Sequence, residues 1–262
     1  MEKAILNISV LGSGSSGNAI YIESPNIRIL IDAGLSAREL NRRLEYIGRC
    51  PEEIGAVLIS HEHIDHVRGA EVLTKRYGIP LYLSEGTYLG APKNLGQLKE
   101  VCYFSPGKAF FLADLWIEPF SVPHDANDPV GFNICLGENK ISIALDMGYT
   151  TRLVQERMRE AHLIVLESNH DTELLKIGPY PWHLKQRILG KRGHLSNDES
   201  SAFLQDLLHP GLSHVILAHL SRTNNRPELA QVEAQRVIQD HEVILHLARQ
   251  DRPTALIALG EA

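Results

Sequence analysis

The chain has 262 residues, of which 44% are hydrophobic and 22% charged, which suits one large globular domain over residues 1–262 with a substantial buried core. No apolar run approaches the roughly 18–20 residues of a membrane span, and the polar start Met1-Glu2-Lys3-Ala4-Ile5-Leu6-Asn7 lacks a secretory apolar stretch, so a cytoplasmic protein with no membrane partner is expected. A net charge of -6 excludes a surface coated in basic residues, and three scattered cysteines, Cys50, Cys102 and Cys135, exclude a disulfide framework or a cysteine metal site.

Short β-branched runs open the chain, over 5–11, 19–23, 27–31 and 56–60, each bounded by Gly, Pro or Asn turn signals. Between the first two stands Gly12-Ser13-Gly14-Ser15-Ser16-Gly17, which matches the G-x-G-x-x-G of a dinucleotide site. That fingerprint works because its glycines open a helix whose N-terminus holds pyrophosphate, whereas Ala19-Ile20-Tyr21-Ile22-Glu23 alternates like a strand. The motif therefore predicts a hairpin turn, either plainly flexible or with backbone N–H groups lining the mouth of a site. In the second case Ser15 and Asn18 are candidate substrate contacts.

A helix follows the third strand. Ser36-Ala37-Arg38-Glu39 is a capping-box pattern, and Leu40, Leu44 and Ile47 then recur at helical spacing. Further helices are predicted near 67–77, 151–159, 198–208 and 228–239, and strands near 115–122, 131–136, 140–145, 163–167 and 215–218. No period of roughly 20–50 residues recurs. Some strand runs are apolar on both faces and others alternate, which favours a sheet-rich core covered by helices, an α/β fold that a four-layer αββα arrangement fits.

Histidine is the unusual component, with 13 residues. His162, His183, His209, His214, His241 and His246 fall in no motif and read as packing or surface residues. The other seven do not. The apolar strand Val57-Leu58-Ile59-Ser60 delivers directly into His61-Glu62-His63-Ile64-Asp65-His66. In an extended or turning segment His61 and His63 face one side and can share a metal, while Asp65 and His66 turn toward a second. Four ligands do not complete two sites, yet further candidates end apolar strands along the chain. They are Asp32 after Ile29-Leu30-Ile31, His124 after Phe120-Ser121-Val122-Pro123, Asp146 after Ile143-Ala144-Leu145, and His219 after Val215-Ile216-Leu217-Ala218. Any one alone is more often a capped turn or a satisfied histidine; together they predict a convergent metal site. Nitrogen and oxygen ligands without thiolate admit Zn²⁺, Mn²⁺ or Fe²⁺.

In chain order, Asp32, the H-x-H-x-D-H of 61–66, His124, Asp146 and His219 resemble the motifs of the metallo-β-lactamase superfamily over nearly the whole chain. The resemblance implies the αββα fold of that superfamily, one metal on His61, His63 and His124, and a second on Asp65, His66 and His219. It also implies that Asp146 bridges the two and that Asp32 orients ligands. Two cations about 3.5–4 Å apart can hold a bridging hydroxide for attack on phosphorus and stabilise charge on a phosphoryl oxygen. His63 separates the chain from relatives that reduce oxygen or nitric oxide with iron, which resemble H-x-E-x-D. His219 is a ligand more typical of hydrolases acting on phosphodiesters.

Two further segments, Glu167-Ser168-Asn169-His170-Asp171 and Gly193-His194-Leu195-Ser196, resemble paired segments of tRNA 3′-end-processing nucleases, in which the Glu orients the His near the scissile phosphate. Glu167 and His194 thereby join Asp65 and Asp32 as candidate catalytic residues. Taken together, GSGSSGN (12–18), HEHIDH (61–66), LESNHD (166–171), GHLSN (193–197) and HLSRTNN (219–225) resemble the bacterial YycJ family, also called WalJ. That family looks like DNA exonucleases of 5′-to-3′ polarity linked to mismatch repair. The resemblance implies a DNA exonuclease with two divalent metal ions per chain and DNA-repair proteins as partners. An RNA nuclease, a cyclic-nucleotide or other small-molecule phosphodiesterase, and a non-enzymatic metal-binding protein stay open as alternatives.

The stretch 174–197 carries Lys176, Lys185, Arg187, Lys191 and Arg192 and no acidic residue, with Tyr180, Trp182 and His183 interleaved. Cations neutralise phosphates and aromatic faces stack on unpaired bases. Lys185, Arg187, Lys191, Arg192 and Trp182 are therefore candidate nucleic-acid contacts, against the plainer alternative of a solvated helix face with Trp182 packed.

Overall fold

A computed structural model describes residues 5–92, 95 and 101–260. Its strands are β1 (Leu6–Gly12), β2 (Ala19–Glu23), β3 (Arg28–Ile31), β4 (Ala56–Leu58), β5 (Leu81–Ser84), β6 (Val101–Phe104), β7 (Phe110–Leu112), β8 (Leu115–Ser121), β9 (Val130–Leu136), β10 (Asn139–Ala144), β11 (Leu163–Glu167), β12 (His214–Ala218), β13 (Ile244–Leu247) and β14 (Ile257–Leu259). They form two seven-stranded sheets, in the orders β14-β1-β2-β3-β4-β5-β6 and β13-β12-β11-β10-β9-β8-β7. Each sheet joins an antiparallel part to a parallel run, β3 to β6 in the first and β10 to β13 in the second.

Alternation along each strand sorts its side chains between two layers. From the first sheet Ile8, Val10, Ile20, Ile22, Ile29, Ile31 and Leu58 point inward and meet Phe132, Ile134, Ile141, Ile143, Val165 and Ile216 of the second. The intervening residues face helices. Leu30 and Val57 pack with Leu40 and Leu44 of α1 (Ala37–Tyr46) and, beyond α2 (Ile64–Val67), with Leu73 of α3 (Ala70–Tyr77). On the other side, Ile164, Leu166, Val215 and Leu217 form the outer face of the second sheet. α4 (Glu85–Gly90) follows β5, and α5 (Arg152–Met158) covers that second face. α6 (Thr172–Ile177) and α7 (Trp182–Ile188) precede the covering helices α8 (Asn197–Leu207) and α9 (Pro227–Ile238). The result is the four-layer αββα fold, and the central strands read as continuous apolar runs because they are buried on both faces. No helix among the described residues is long and apolar enough to cross a membrane.

Several elements depart from the local pattern. The helix expected near 67–77 is split in two at Gly69, whose N–H donates to Ala33 O at 2.7 Å and whose Cβ, if present, would fall 2.3 Å from Leu35 O. The chain between α2 and α3 is thus held by a backbone some thirty positions earlier. The strands β5, β6, β7, β13 and β14 and the helices α4, α6 and α7 are too short or too irregular in pattern to be anticipated. The Gly12–Gly17 loop turns β1 into the antiparallel β2, so no helix follows it and no dinucleotide fingerprint exists.

One glycine ties this loop to the segment that follows β4. Gly34 N–H donates to Asn18 O at 2.8 Å, Asn18 N–H donates to Asp65 O at 2.7 Å, and a Cβ on Gly34 would lie 1.5 Å from that same Asp65 oxygen. Gly34→Ala should therefore force backbone apart and destabilise the protein by roughly 1–3 kcal/mol. Gly137→Ala should cost about 1 kcal/mol, because φ is 58° there but nothing lies within 4 Å. Denaturant titration of both variants checks the difference; equal effects would show that the packing at Gly34 relaxes freely.

Candidate metal centre and catalytic site

The candidate ligands lie where β3, β4, β8, β10, β11 and β12 run out at their C-terminal ends. Three of them bend sharply there, Asp32 (φ 62°), Asp146 (φ 54°) and His219 (φ 57°). A non-glycine residue adopts this left-handed conformation at a cost of about 1–2 kcal/mol. It persists when the surroundings fix the side chain, and here each of the three turns its side chain back among the others.

The donor atoms fall into two overlapping groups. In the first, His61 Nε2 lies 3.1 Å and His124 Nε2 3.3 Å from His63 Nδ1. In the second, His66 Nε2 lies 3.1 Å from Asp146 Oδ2 and 3.7 Å from Asp65 Oδ2, and His219 Nε2 lies 3.9 Å from Asp65 Oδ2. His61, His66 and Asp146 also cluster, which places Asp146 between the two groups. Tetrahedral ligands at about 2.0–2.1 Å from a cation stand roughly 3.3 Å from one another, so the first group has the separations of a metal site. Asp146 Oδ2 and His219 Nε2 are buried with no hydrogen-bond partner among the described residues. Buried polar atoms are ordinarily paired, and a divalent cation is the partner that this set of nitrogens and carboxylate oxygens fits.

Three of the rings are held from behind. His66 Nδ1–H donates to Asp32 Oδ2 at 2.7 Å, and Asp32 also accepts from Ser60 N–H and Ser60 Oγ at 2.8 Å. His124 Nδ1–H donates to Gly193 O at 3.3 Å, and His219 Nδ1–H to Glu167 Oε1 at 2.8 Å. Such partners fix the tautomer and leave the opposite nitrogen free for a metal. Glu167 Oε1 also accepts from His194 Nδ1–H at 2.7 Å, and its Oε2 accepts from Met147 N–H at 2.8 Å and Leu195 N–H at 3.3 Å. One fully buried carboxylate thus holds both His194 and His219.

The electrostatics follow from burial and pairing. Burial pushes His61 and His124 down, so both stay neutral as ligation requires. Burial also opposes charge on His66 and His219, but Asp32 and Asp146 raise His66 well above the ordinary range, and Asp146, Asp65 and Glu167 raise His219 to about 10. Burial would lift Glu167, yet His194 and His219 bring it down to about 2. Without a cation, protons on the two imidazoles compensate the buried carboxylates. A metal entering the second group displaces those protons.

A cleft of about 350 Å³ opens onto these residues. Its lining includes His63, Asp65, His124, Asp146, His194 and His219, together with Ser15, Tyr180, Leu184, Arg187 and Arg192. Of the residues expected to touch substrate, Ser15, Arg187 and Arg192 line the cleft. Trp182, Lys185 and Lys191 lie outside its lining. Trp182 is 66% exposed rather than packed, and Lys185 Nζ donates to Lys176 O at 2.6 Å. Asn18 does not meet its expectation as a substrate contact. It is 1% exposed, its Oδ1 accepts from Ser13 Oγ and Gly14 N–H, and its Nδ2 lies 3.0 Å from His66 Nε2, so it supports the loop beneath the site.

Asp125 carries no signal that sequence reasoning could use, and the motifs 166–171, 193–197 and 219–225 flag Ser168, His170, Asn197 and Asn225 without indicating their roles. Asp125 lines the cleft and pairs with Arg187. Asn225 Nδ2 donates to Ser168 O, Asn169 O and Asn197 Oδ1 at 2.9–3.0 Å, and Ser168 Oγ donates to Asn197 Oδ1 at 2.7 Å. This amide clasp joins three segments distant in the chain. His170 is buried beside it, and neither ring nitrogen has a hydrogen-bond partner among the described residues.

Comparison with known proteins matches residues 27–220 to the β-lactamase superfamily domain. The exodeoxyribonuclease YycJ of Bacillus anthracis is 33% identical over 237 residues, 90% of each chain. The exodeoxyribonuclease WalJ of Streptococcus pneumoniae is 38% identical over 236 residues, 88% of each chain. Among solved structures, the metallo-β-lactamase fold protein YhfI from Bacillus subtilis superposes with a TM-score of 0.72 at 18% identity, covering 95% of this chain and 99% of that one, which shows the shared fold. By domain match and by identity over most of its length, the chain belongs to the β-lactamase superfamily and, within it, to the family of the bacterial exodeoxyribonucleases YycJ and WalJ.

Proposed function

We propose that this protein is a cytoplasmic DNA exonuclease of 5′-to-3′ polarity that hydrolyses phosphodiester bonds with two divalent cations, Zn²⁺ or Mn²⁺, and works beside DNA-repair proteins. The relatives' names, exodeoxyribonuclease in each case, support the DNA substrate and exonuclease action, and the polarity and repair role are what the family resemblance implies. The observation that carries the chemistry is Glu167 Oε1, which accepts from both His194 and His219 and so fixes a proton donor against a metal ligand.

His61, His63 and His124 would hold one cation, and Asp65, His66 and His219 the other, with Asp146 between them. When bound, such a pair supplies Lewis acidity to a phosphoryl oxygen and lowers the pKa of coordinated water. The chain's own residues do the rest. His194 commits Nδ1 to Glu167 and lines the cleft, which leaves Nε2 as the atom that gives a proton to the leaving oxygen. Arg187 and Arg192 supply the basic part of the cleft lining, which would meet the phosphate backbone. The cleft volume lies near the lower end of the roughly 300–1,000 Å³ of ligand pockets, which suits one strand end rather than a duplex.

A long duplex labelled separately at its two 5′ ends and two 3′ ends tests the reading, with Mn²⁺ compared with Zn²⁺. Immediate loss of 5′ label with progressive shortening of the 3′-labelled strand is expected; cleavage only of cyclic or other small phosphodiesters would reject it. Asp146→Ala should remove essentially all hydrolysis and lower the metal content below two ions per chain, measured by elemental analysis. Full metal content with normal turnover in that variant would remove Asp146 from the centre. His194→Ala should cut kcat by about 10²–10⁴-fold, or roughly 3–5.5 kcal/mol of barrier, with metal content unchanged. Loss of metal instead would make His194 a ligand.

A further inference from the structure

Arg187 of α7 and Asp125, the residue after His124, meet at the wall of the cleft and both line it. Arg187 Nε–H donates to Asp125 Oδ2 at 2.7 Å, and Arg187 Nη2 lies 2.7 Å from the same oxygen. The Arg187 side chain nevertheless remains 60% exposed, and an exposed pair of this kind contributes little to folding stability. Its geometry fits another purpose. A guanidinium held along its Nε–Nη2 edge keeps the Nη1–Nη2 end free, and that end is the fork that matches two phosphate oxygens.

The second oxygen of Asp125 points the other way. Oδ1 is buried, has no hydrogen-bond partner among the described residues, and lies 3.5 Å from His124 Nε2 and 4.0 Å from His63 Nε2. One carboxylate therefore spans from the first ligand group to the basic wall. Arg192 and Lys191 have no ion-pair partner among the described residues, so Arg187 alone of the cationic stretch is tied to the centre in this way.

We infer that Asp125 is a positioning residue that aims Arg187 at a substrate phosphate and sets that phosphate in register with the first metal subsite. The inference rests on the nuclease reading above. It can be separated from simple charge effects by its sign. Removing a carboxylate beside a phosphate track relieves repulsion and by itself tightens binding. Removing a positioning group frees a long side chain, and ordering it again on binding weakens the complex.

The test is fluorescence anisotropy of a labelled single-stranded oligonucleotide, its phosphorothioate linkages resistant to cleavage, with the full metal-loaded chain. It is run for the wild type, Asp125→Asn, Arg187→Gln and the double variant, with thermal unfolding as a check on folding. Arg187→Gln should raise Kd by roughly 3–10-fold. Asp125→Asn should raise it comparably, although it makes the protein less negative. In the Arg187→Gln background the same change should leave Kd unchanged or lower it, because the group it positions is gone. On a cleavable oligonucleotide, Asp125→Asn should raise KM by a larger factor than it lowers kcat. Wild-type binding together with equal or tighter binding by Asp125→Asn overturns the inference alone, as does additivity in the double variant. Absence of wild-type binding overturns the nuclease reading and this inference with it.

Discussion

Asp32 at the end of a first-sheet strand and Asp146 and Glu167 at the ends of two neighbouring strands of the second bury three carboxylates, each no more than 3% exposed, and the arrangement of the site follows from neutralising that charge. An uncompensated buried carboxylate costs several kcal/mol, and removing one partner of a buried pair is correspondingly destabilising. Here the partners are imidazoles. Asp32 faces His66, Glu167 faces His194 and His219, and Asp146 lies within 3.1–3.4 Å of His66, His219 and His194. The same pairing that makes the carboxylates tolerable orients the rings and presents their remaining nitrogens to one another. Repulsion between those nitrogens is relieved by a cation or by protons. The folded site is therefore poised for metal binding by the charge it must bury; the left-handed turns at Asp32 and His219 are held by these hydrogen bonds, and that at Asp146 by its contacts with the surrounding imidazoles.

Glu167 can serve two histidines only if the segments carrying them are held together, and that task falls to uncharged residues. Asn197 and Asn225 exchange hydrogen bonds at 2.9 Å, Asn225 reaches the backbone of Ser168 and Asn169, and Asn169 Nδ2 donates to His219 O at 2.9 Å. Three sequence motifs thus contain residues that do no chemistry yet determine where the chemistry sits. Buried amides suit this role because each offers two donors and an acceptor without adding charge to a site already crowded with it.

Much of this was legible before any coordinates, for a local reason. A site residue at the end of a buried strand appears in sequence as an apolar run followed within a residue or so by Asp or His, and Asp32, His61, His124, Asp146 and His219 all follow that rule. A sheet-rich α/β core was likewise legible, because the longer strands alternate or run apolar according to their burial, but periodicity does not separate the αββα layering from other α/β layouts, and that came from the motif resemblance. What was not legible depends on contacts between distant segments. Gly69 breaks a helix because a carbonyl from Leu35 occupies the space of its Cβ. Asp125 and Arg187 stand 62 positions apart, and no spacing rule connects them. The basic stretch was visible as composition, but which of its residues reach the cleft depends on how α7 packs, and that left Arg187 and Arg192 inside the lining and Lys185, Lys191 and Trp182 outside it.

The glycine-rich loop shows how one string of residues can serve opposite ends. In a dinucleotide site the glycines bring backbone N–H groups and a helix N-terminus up to a phosphate. Here a strand follows, so the backbone hydrogen-bonding groups of the loop turn to the protein itself. Ser13 Oγ donates to Asn18 Oδ1 and accepts from the N–H of His219, a residue of the second sheet, while Asn18 N–H donates to Asp65 O in the first. The loop is therefore a joint between the two halves of the metal centre. Small residues are needed at it because strand-end loops from both sheets converge there, and Gly34 beside it leaves no space for a methyl group. A match to a phosphate-binding pattern, read without the element that follows, would have assigned to ligand binding what is in fact close packing of backbone against backbone.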